Sequence, residues 1–132
     1  MCSSDLNFLA GAGGNGTASP YSGTPVTYAG GGGGARNSNL SVPGGSGGSG
    51  GGGAGSNDTY SPTPGSTNTG GGGGGDGTQV KGGNGGKGIV IVRYSGSQAA
   101  TGGTVTTSPG YTIHTFTGDG TFRSNTVNYQ IN

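Results

Sequence analysis

Residues 82–94 read GGNGGKGIVIVRY. The first half carries almost no side chains, and the second half is a dense apolar strand. Two textures placed back to back imply two ways of holding a chain together. The glycine half repeats in threes, GGN-GGK. Three residues per turn is the polyproline-II period, and glycine can adopt that helix. Helices without Cβ atoms can pack backbone to backbone, so their N–H and C=O groups can bond to neighbouring helices instead of water. The apolar half, Ile89-Val90-Ile91-Val92, has the pattern of a strand covered on both faces.

The same contrast divides the whole chain. Residues 7–88 are glycine-rich and interrupted, whereas 89–132 read as strands and turns. Glycine runs occupy 30–34, 44–53 with serines interspersed, and 70–75. The second run again has a period of three, GGS-GGS-GGG from Gly44. A six-residue run at about 3.1 Å per residue spans roughly 19 Å, which suits short parallel and antiparallel rods joined by spacers. The spacers are TASPYSGTPVTYA (17–29), ARNSNLSVP (35–43) and AGSNDTYSPTPGSTNT (54–69). A plain flexible linker is the alternative. The apolar residues between the runs (Val26, Tyr28, Leu40, Val42) and the terminal strand argue against it. Collagen is excluded, because Gly does not occupy every third position throughout.

In the second region, Thr104–Thr107 reads as a strand after a Gly102-Gly103 turn. Ser108-Pro109-Gly110 is a turn signal. YTIHTFT (111–117) is rich in β-branched and aromatic residues. Gly118-Asp119-Gly120 predicts a tight hairpin, with Thr121-Phe122 opening the return strand. Val127, Tyr129 and Ile131 alternate as a last strand. No helix is predicted. The expected fold is all-β and irregular: a polyglycine-II-like body with short antiparallel strands and a hairpin.

Composition limits the function. Gly supplies 38 of 132 residues, and hydrophobic residues are 25%. So little apolar surface normally predicts disorder, but disordered chains are usually charged. Here Lys and Arg total 5 and Asp and Glu total 4, for a net charge of +1. The cations Arg36, Lys81, Lys87, Arg93 and Arg123 are dispersed, which speaks against nucleic acid and anionic membranes. No apolar run is long enough for a membrane-spanning helix. Cys2 is the only cysteine, so no internal disulfide is expected. The stretch Cys2-Ser3-Ser4-Asp5-Leu6 reads as the translation of a short-read sequencing adapter. Residues 1–6 are therefore expected to be an artefact, with the natural sequence starting near Asn7. The absence of a visible signal peptide then carries no information.

No catalytic set is present. His114 is the sole histidine, and its place in an alternating strand favours a structural role. Ser46 and Ser49 match G-x-S-x-G, as a Gly/Ser tract does by chance, and no strand precedes them. The P-loop pattern fails, because Gly88 follows Lys87 and residue 81 is Lys. Gly71–Asp76 fits half of a calcium-binding nonapeptide, but Thr78 stands where a large apolar residue belongs. Asp5, Asp58, Asp76 and Asp119 form no plausible acid/base pair, and turn chemistry accounts for Asp119. Neither a metal nor a cofactor is expected.

The segments VTYAGGGGG, GGNGGKGIVIVRY, TGGTVTT and GYTIHTFTGDGTF resemble the repeat of glycine-rich domain proteins from tailed phages and marine viral metagenomes. In that repeat a YTIHTFT…GTF strand pair opens a unit, a glycine body follows, and a GIVI(I/V)RY strand closes it. The resemblance covers nearly the whole chain after Asn7. It implies a glycine body over 7–94 with a closing strand at 89–94, a linker at 95–103, and a β-hairpin segment at 104–132 that opens a second unit. The chain departs from the repeat in stopping at Asn132 without a further glycine body.

What the resemblance implies is a virion role, as in tail-fibre and tail-tip adhesins whose loops contact bacterial receptors. The implied partners are a bacterial surface receptor or glycan, other virion tail proteins and, as an option, further copies in a homo-oligomer, in the virion tail or outside the cell. Tyr and Asn are adaptable contact residues. Aromatic rings stack on sugars, and Asn and Asp can bond sugar hydroxyls. The receptor-contact candidates are therefore Tyr21, Tyr28, Asn57, Asp58 and Tyr60. Packing is the alternative: it is favoured for Tyr28, on the glycine layer, and stands level with contact for Tyr21 and Tyr60. Two other readings stand beside the adhesin: a fibre spacer with no ligand, and a bacterial secreted cell-surface protein.

Overall fold

A computed structural model describes residues 9–36, 43–57, 59–77 and 81–125. Leu40, Val42, Asp58, Thr78 and the expected strand at Val127, Tyr129 and Ile131 lie outside the described residues, as do Cys2 and Asp5. The chain forms two compact units, Met1–Ser19 with Val26–Gly88, and Pro20–Pro25 with Ile89–Asn132. No helix occurs among the described residues; all regular structure is antiparallel β.

The first unit is an array of extended glycine rods. They cover residues 10–16 (rod a), 29–36 (b), 44–49 (c), 51–57 (d), 62–66 (e), 70–76 (f) and 82–88 (g). Each rod bonds to its neighbours at every third residue. Gly13 and Gly16 donate to Ser46 and Ser49 of rod c, and Gly31 and Gly34 of rod b donate to Gly14 and Gly11. Gly45 and Gly48 donate to Gly34 and Gly31, while Gly53 and Ser56 of rod d donate to Gly72 and Gly75 of rod f. Gly83 and Gly86 donate to Gly74 and Gly71. These bonds span 2.8–2.9 Å, the usual N–H···O distance.

The bonding map defines two staggered layers, with a, b, f and g in one and c, d and e in the other. Rods b, d and f run one way, and their sequence neighbours run the opposite way. Burial follows the same period: Gly30, Gly33 and Arg36 are buried in rod b, and Gly45 and Gly48 in rod c. The third residue of each GGS triplet, Ser46 or Ser49, faces out, as do Asn84 and Lys87 of rod g.

Glycine is required by sterics. A Cβ on Gly48 would sit 1.9 Å from the Gly14 oxygen, and one on Gly33 1.9 Å from the Gly45 oxygen. No such approach is possible for any other residue, so the buried backbone is satisfied by neighbouring backbone.

The rods differ from the sequence expectation chiefly at the run 44–53 and the spacer 54–69. The run 44–53 is two rods, because Ser49–Gly51 turns back on itself. Gly50 and Gly51 there have φ of 93° and 95°, open to glycine at little strain. The spacer 54–69, in turn, contributes the end of rod d and all of rod e. Pro62 and Pro64 suit rod e, since proline's fixed φ matches polyproline II while Thr63 and Gly65 supply the N–H donors. The spacer at 17–29 also hides a hairpin: β1 (Thr17–Ser19) pairs with β2 (Val26–Tyr28).

The second unit is built from side chains. β3 (Val90–Ser95), β5 (Thr104–Ser108) and β6 (Tyr111–Phe116) form a sheet in the order β3-β6-β5. β3 and β6 are antiparallel with Val92 opposite His114 and Arg93 opposite Ile113. All ladder partners of β3 are on β6, so the strand expected to close the glycine body belongs to the second unit.

On one face Ile113 is buried, and Arg93 lies 3.7 Å over the Tyr111 ring while its Nη1 donates to the Pro20 carbonyl. The other face holds Tyr94, His114 and Phe122. Tyr94 and His114 stack at 5.6 Å, and Phe122 meets His114 edge-on at 5.2 Å.

Three expectations are corrected in this unit. Gly118-Asp119-Gly120 makes no hairpin with β6; the chain continues to β7 (Arg123–Ser124), which pairs with β4 (Ala100–Thr101). Phe122 meets the His114 ring edge-on instead. The expected linker 95–103 supplies β4 and the buried Ala100. The Ile89–Val92 strand is not covered on both faces along its length, since Val90 is 61% exposed.

Candidate functional site

Rods b, d and f are parallel and end together in Arg36, Ser56–Asn57 and Asp76. Polar bonds tie these ends. Arg36 donates its N–H to the Ser56 carbonyl, and the Ser56 hydroxyl bonds to Asp76 Oδ1 at 3.1 Å and accepts from Gly77 N–H at 2.8 Å. Asn57 turns the chain out of rod d. Its Oδ1 accepts from the Thr59 and Tyr60 N–H groups at 2.9 and 2.7 Å, and its own N–H donates to the Tyr60 carbonyl. This is the turn-forming habit of an Asn side chain.

Asn57 is 2% exposed. It is corrected from receptor contact to loop builder, because its amide oxygen is occupied inside the loop. The loop presents Tyr60 beside it, 55% exposed. Asp58 lies outside the described residues. Tyr21 is 56% exposed and belongs to the Pro20–Pro25 segment of the second unit. Tyr28 is half-buried in β2, and its carbonyl lies where a Cβ on Gly16 would fall, 1.8 Å away. Its backbone thus abuts rod a. The structure brings Asn57 and Tyr60 together in one loop, and it places Tyr21 in the other unit.

His114 is fully buried, and both ring nitrogens are engaged. Nδ1 lies 2.7 Å from the Gly102 carbonyl, so Nδ1 carries the proton and donates. Nε2 then accepts from the Tyr94 hydroxyl at 3.0 Å, and that hydroxyl accepts from Ala99 N–H at 3.0 Å. The chain of bonds pins the 96–103 segment to the sheet, which makes His114 structural. Ser46 and Ser49 face out from rod c, their carbonyls bonded to rod a. Gly71–Asp76 is rod f of the array. Among the described residues no three His, Cys, Asp or Glu side chains gather as a metal site, and no helix is long and apolar enough to cross a membrane.

Sequence reasoning missed one feature. Val90 and Val92 of β3, Phe116 at the end of β6, and the Gly118–Gly120 turn with Phe122 line an open groove of about 350 Å³. The available signal is the aromatic Phe122 shortly after the Gly118-Asp119-Gly120 turn.

No curated protein and no solved structure matches the chain. The family model described as "Glycine-rich domain" matches residues 7–95, which takes in the described rods and runs through β3. The chain therefore belongs to the glycine-rich domain family.

Proposed function

We propose that the protein is a non-enzymatic virion component, a glycine-rich tail-fibre or adhesin module of a tailed phage. It contacts the bacterial host surface, a receptor or glycan, through loops between the rods. The observation that carries this reading is the common end of rods b, d and f, where the Asn57 turn presents Tyr60 on a stiff, backbone-bonded body. Tyr is a rigid amphipathic contact residue of low entropy cost, and a bonded scaffold positions such a loop. Partners are the host surface and other virion tail proteins, and the site of action is extracellular.

The test is binding of labelled protein to intact bacterial cells. Tyr60→Ala and Tyr21→Ala should each weaken binding at least about tenfold, near 1.4 kcal/mol. Equal binding by both variants sinks the loop assignment. A fibre spacer without a ligand is the second reading, favoured by the rod array itself, which supplies reach and stiffness. Absence of binding to every host tested, with the fold intact, selects it.

A further inference from the structure

The groove on the second unit has an unusual chemistry. Its walls are apolar: Val90, 61% exposed, with Val92, Phe116 and Phe122, itself 39% exposed. One charged group, Asp119, lines it too, and that carboxylate has no bonding partner among the described residues. The Phe116 ring lies close against two glycines, since a Cβ on Gly120 would meet it at 2.8 Å and one on Gly103 at 3.1 Å. The glycines flanking Asp119 thus let this turn line the same groove as Phe116 and Phe122 and add no side chain of their own.

An occupant must offer an apolar face to the rings and hydrogen-bond donors to Asp119. A phosphate-bearing ligand meets a like charge and no cation in the lining. A fatty chain would desolvate the carboxylate without pairing it. A hexopyranose offers both features: C–H groups on one face and hydroxyls around its rim. The volume lies at the low end of ligand sites, about 300–1,000 Å³, which suits one or two sugar rings.

We propose that this groove binds a neutral hexopyranose, with Phe116 and Phe122 packing on the sugar face and Asp119 accepting from its hydroxyls. The inference rests on the host-surface reading and names its ligand class, but it uses residues other than the loop tyrosines.

The experiment is an NMR titration of the full chain with the methyl glycosides of glucose, galactose, mannose and N-acetylglucosamine. Each is taken to about 50 mM, well past the 1 mM dissociation constant of a weak site. The expected result is saturable shifts of the Gly118, Asp119 and Gly120 amides with at least one glycoside. Asp119→Asn and Phe122→Ala should each weaken that binding about tenfold or more. Asp119→Asn removes no protein contact, so it separates ligand binding from the packing of Phe122 on His114. The inference is overturned by absence of saturable shifts with all four sugars, or by shifts that persist in Asp119→Asn. Shifts with N-acetylarginine amide alone also overturn it, in favour of a cationic peptide. Sugar binding here without cell binding would remove the adhesin reading and leave the groove; cell binding with an inert groove would do the reverse.

Discussion

The two units solve the same problem with opposite materials. In the glycine array, rods approach so closely that backbone N–H and C=O groups bond from rod to rod, and side chains are excluded from the contact. In the β unit, a small sheet is held by Ile113 on one face and by the Tyr94, His114 and Phe122 cluster on the other. A chain with 25% hydrophobic residues cannot fill two ordinary cores. Its buried apolar residues, Ala100 and Ile113, both lie in the β unit, and no apolar side chain is buried among the described residues of the glycine array. The comparison teaches that low hydrophobicity predicts disorder only when the backbone has no internal partners, and period-three glycine supplies them.

The sharpest way to break the comparison is to add one methyl group to each class of glycine. Gly48→Ala puts a Cβ within 1.9 Å of the Gly14 oxygen. It should cost more than the about 1–3 kcal/mol of ordinary overpacking, and hydrogen exchange should show loss of protection in rods a, b and c. Gly14→Ala, in the same array, meets nothing within 4 Å. It should leave stability unchanged or raise it by up to about 1 kcal/mol, because alanine has less unfolded-state entropy to lose. If both substitutions behave alike in thermal melts, the steric account of the array fails.

In the β unit the largest effect is expected at His114. His114→Ala strands the Gly102 carbonyl and the Tyr94 hydroxyl and opens a cavity against Phe122. A loss of about 2–5 kcal/mol follows, read from urea midpoints with tyrosine fluorescence. Exchange protection in rods b, d and f should stay intact. Loss of protection there as well would mean that the two units unfold as one.

A smaller effect is expected at the rod end. Asn57→Ala removes the acceptor for two N–H groups, at about 1–3 kcal/mol, and exchange at Thr59 and Tyr60 should accelerate. The smallest belongs to Arg93→Lys, which gives up the planar stack on Tyr111. About 0.5–1 kcal/mol is expected, measured by the same urea midpoints.

Much of the fold was legible in the sequence. The GGS and GGN-GGK triplets announced rods, because only a three-residue period lets one face stay bare while the third residue faces water. The β-branched residues of Thr104–Thr107 and Tyr111–Thr117 announced β5 and β6. The spacers were harder: Pro62 and Pro64 looked like loop residues, although proline is compatible with the rod conformation. The candidate site was legible in part. Tyr60 is exposed, but the role of Asn57 depended on a turn whose N–H partners no composition names.

What the sequence determined by itself was the local conformation of each piece: extended glycine rods, apolar strands, and turns at positive-φ glycines. Steric freedom at glycine and side-chain period act within a few residues, so they are readable in order along the chain. What only the tertiary structure decided was the choice of neighbours. Rod a bonds to rod c as well as to rod b, the 44–53 run folds into two rods, β3 joins β6, and Phe122 crosses to His114. Every rod offers the same donors and acceptors, so the pattern within one rod cannot specify its partner. That choice is made where the whole array, closed at its ends by Ser56, Asn57 and Asp76, leaves the fewest buried groups unbonded.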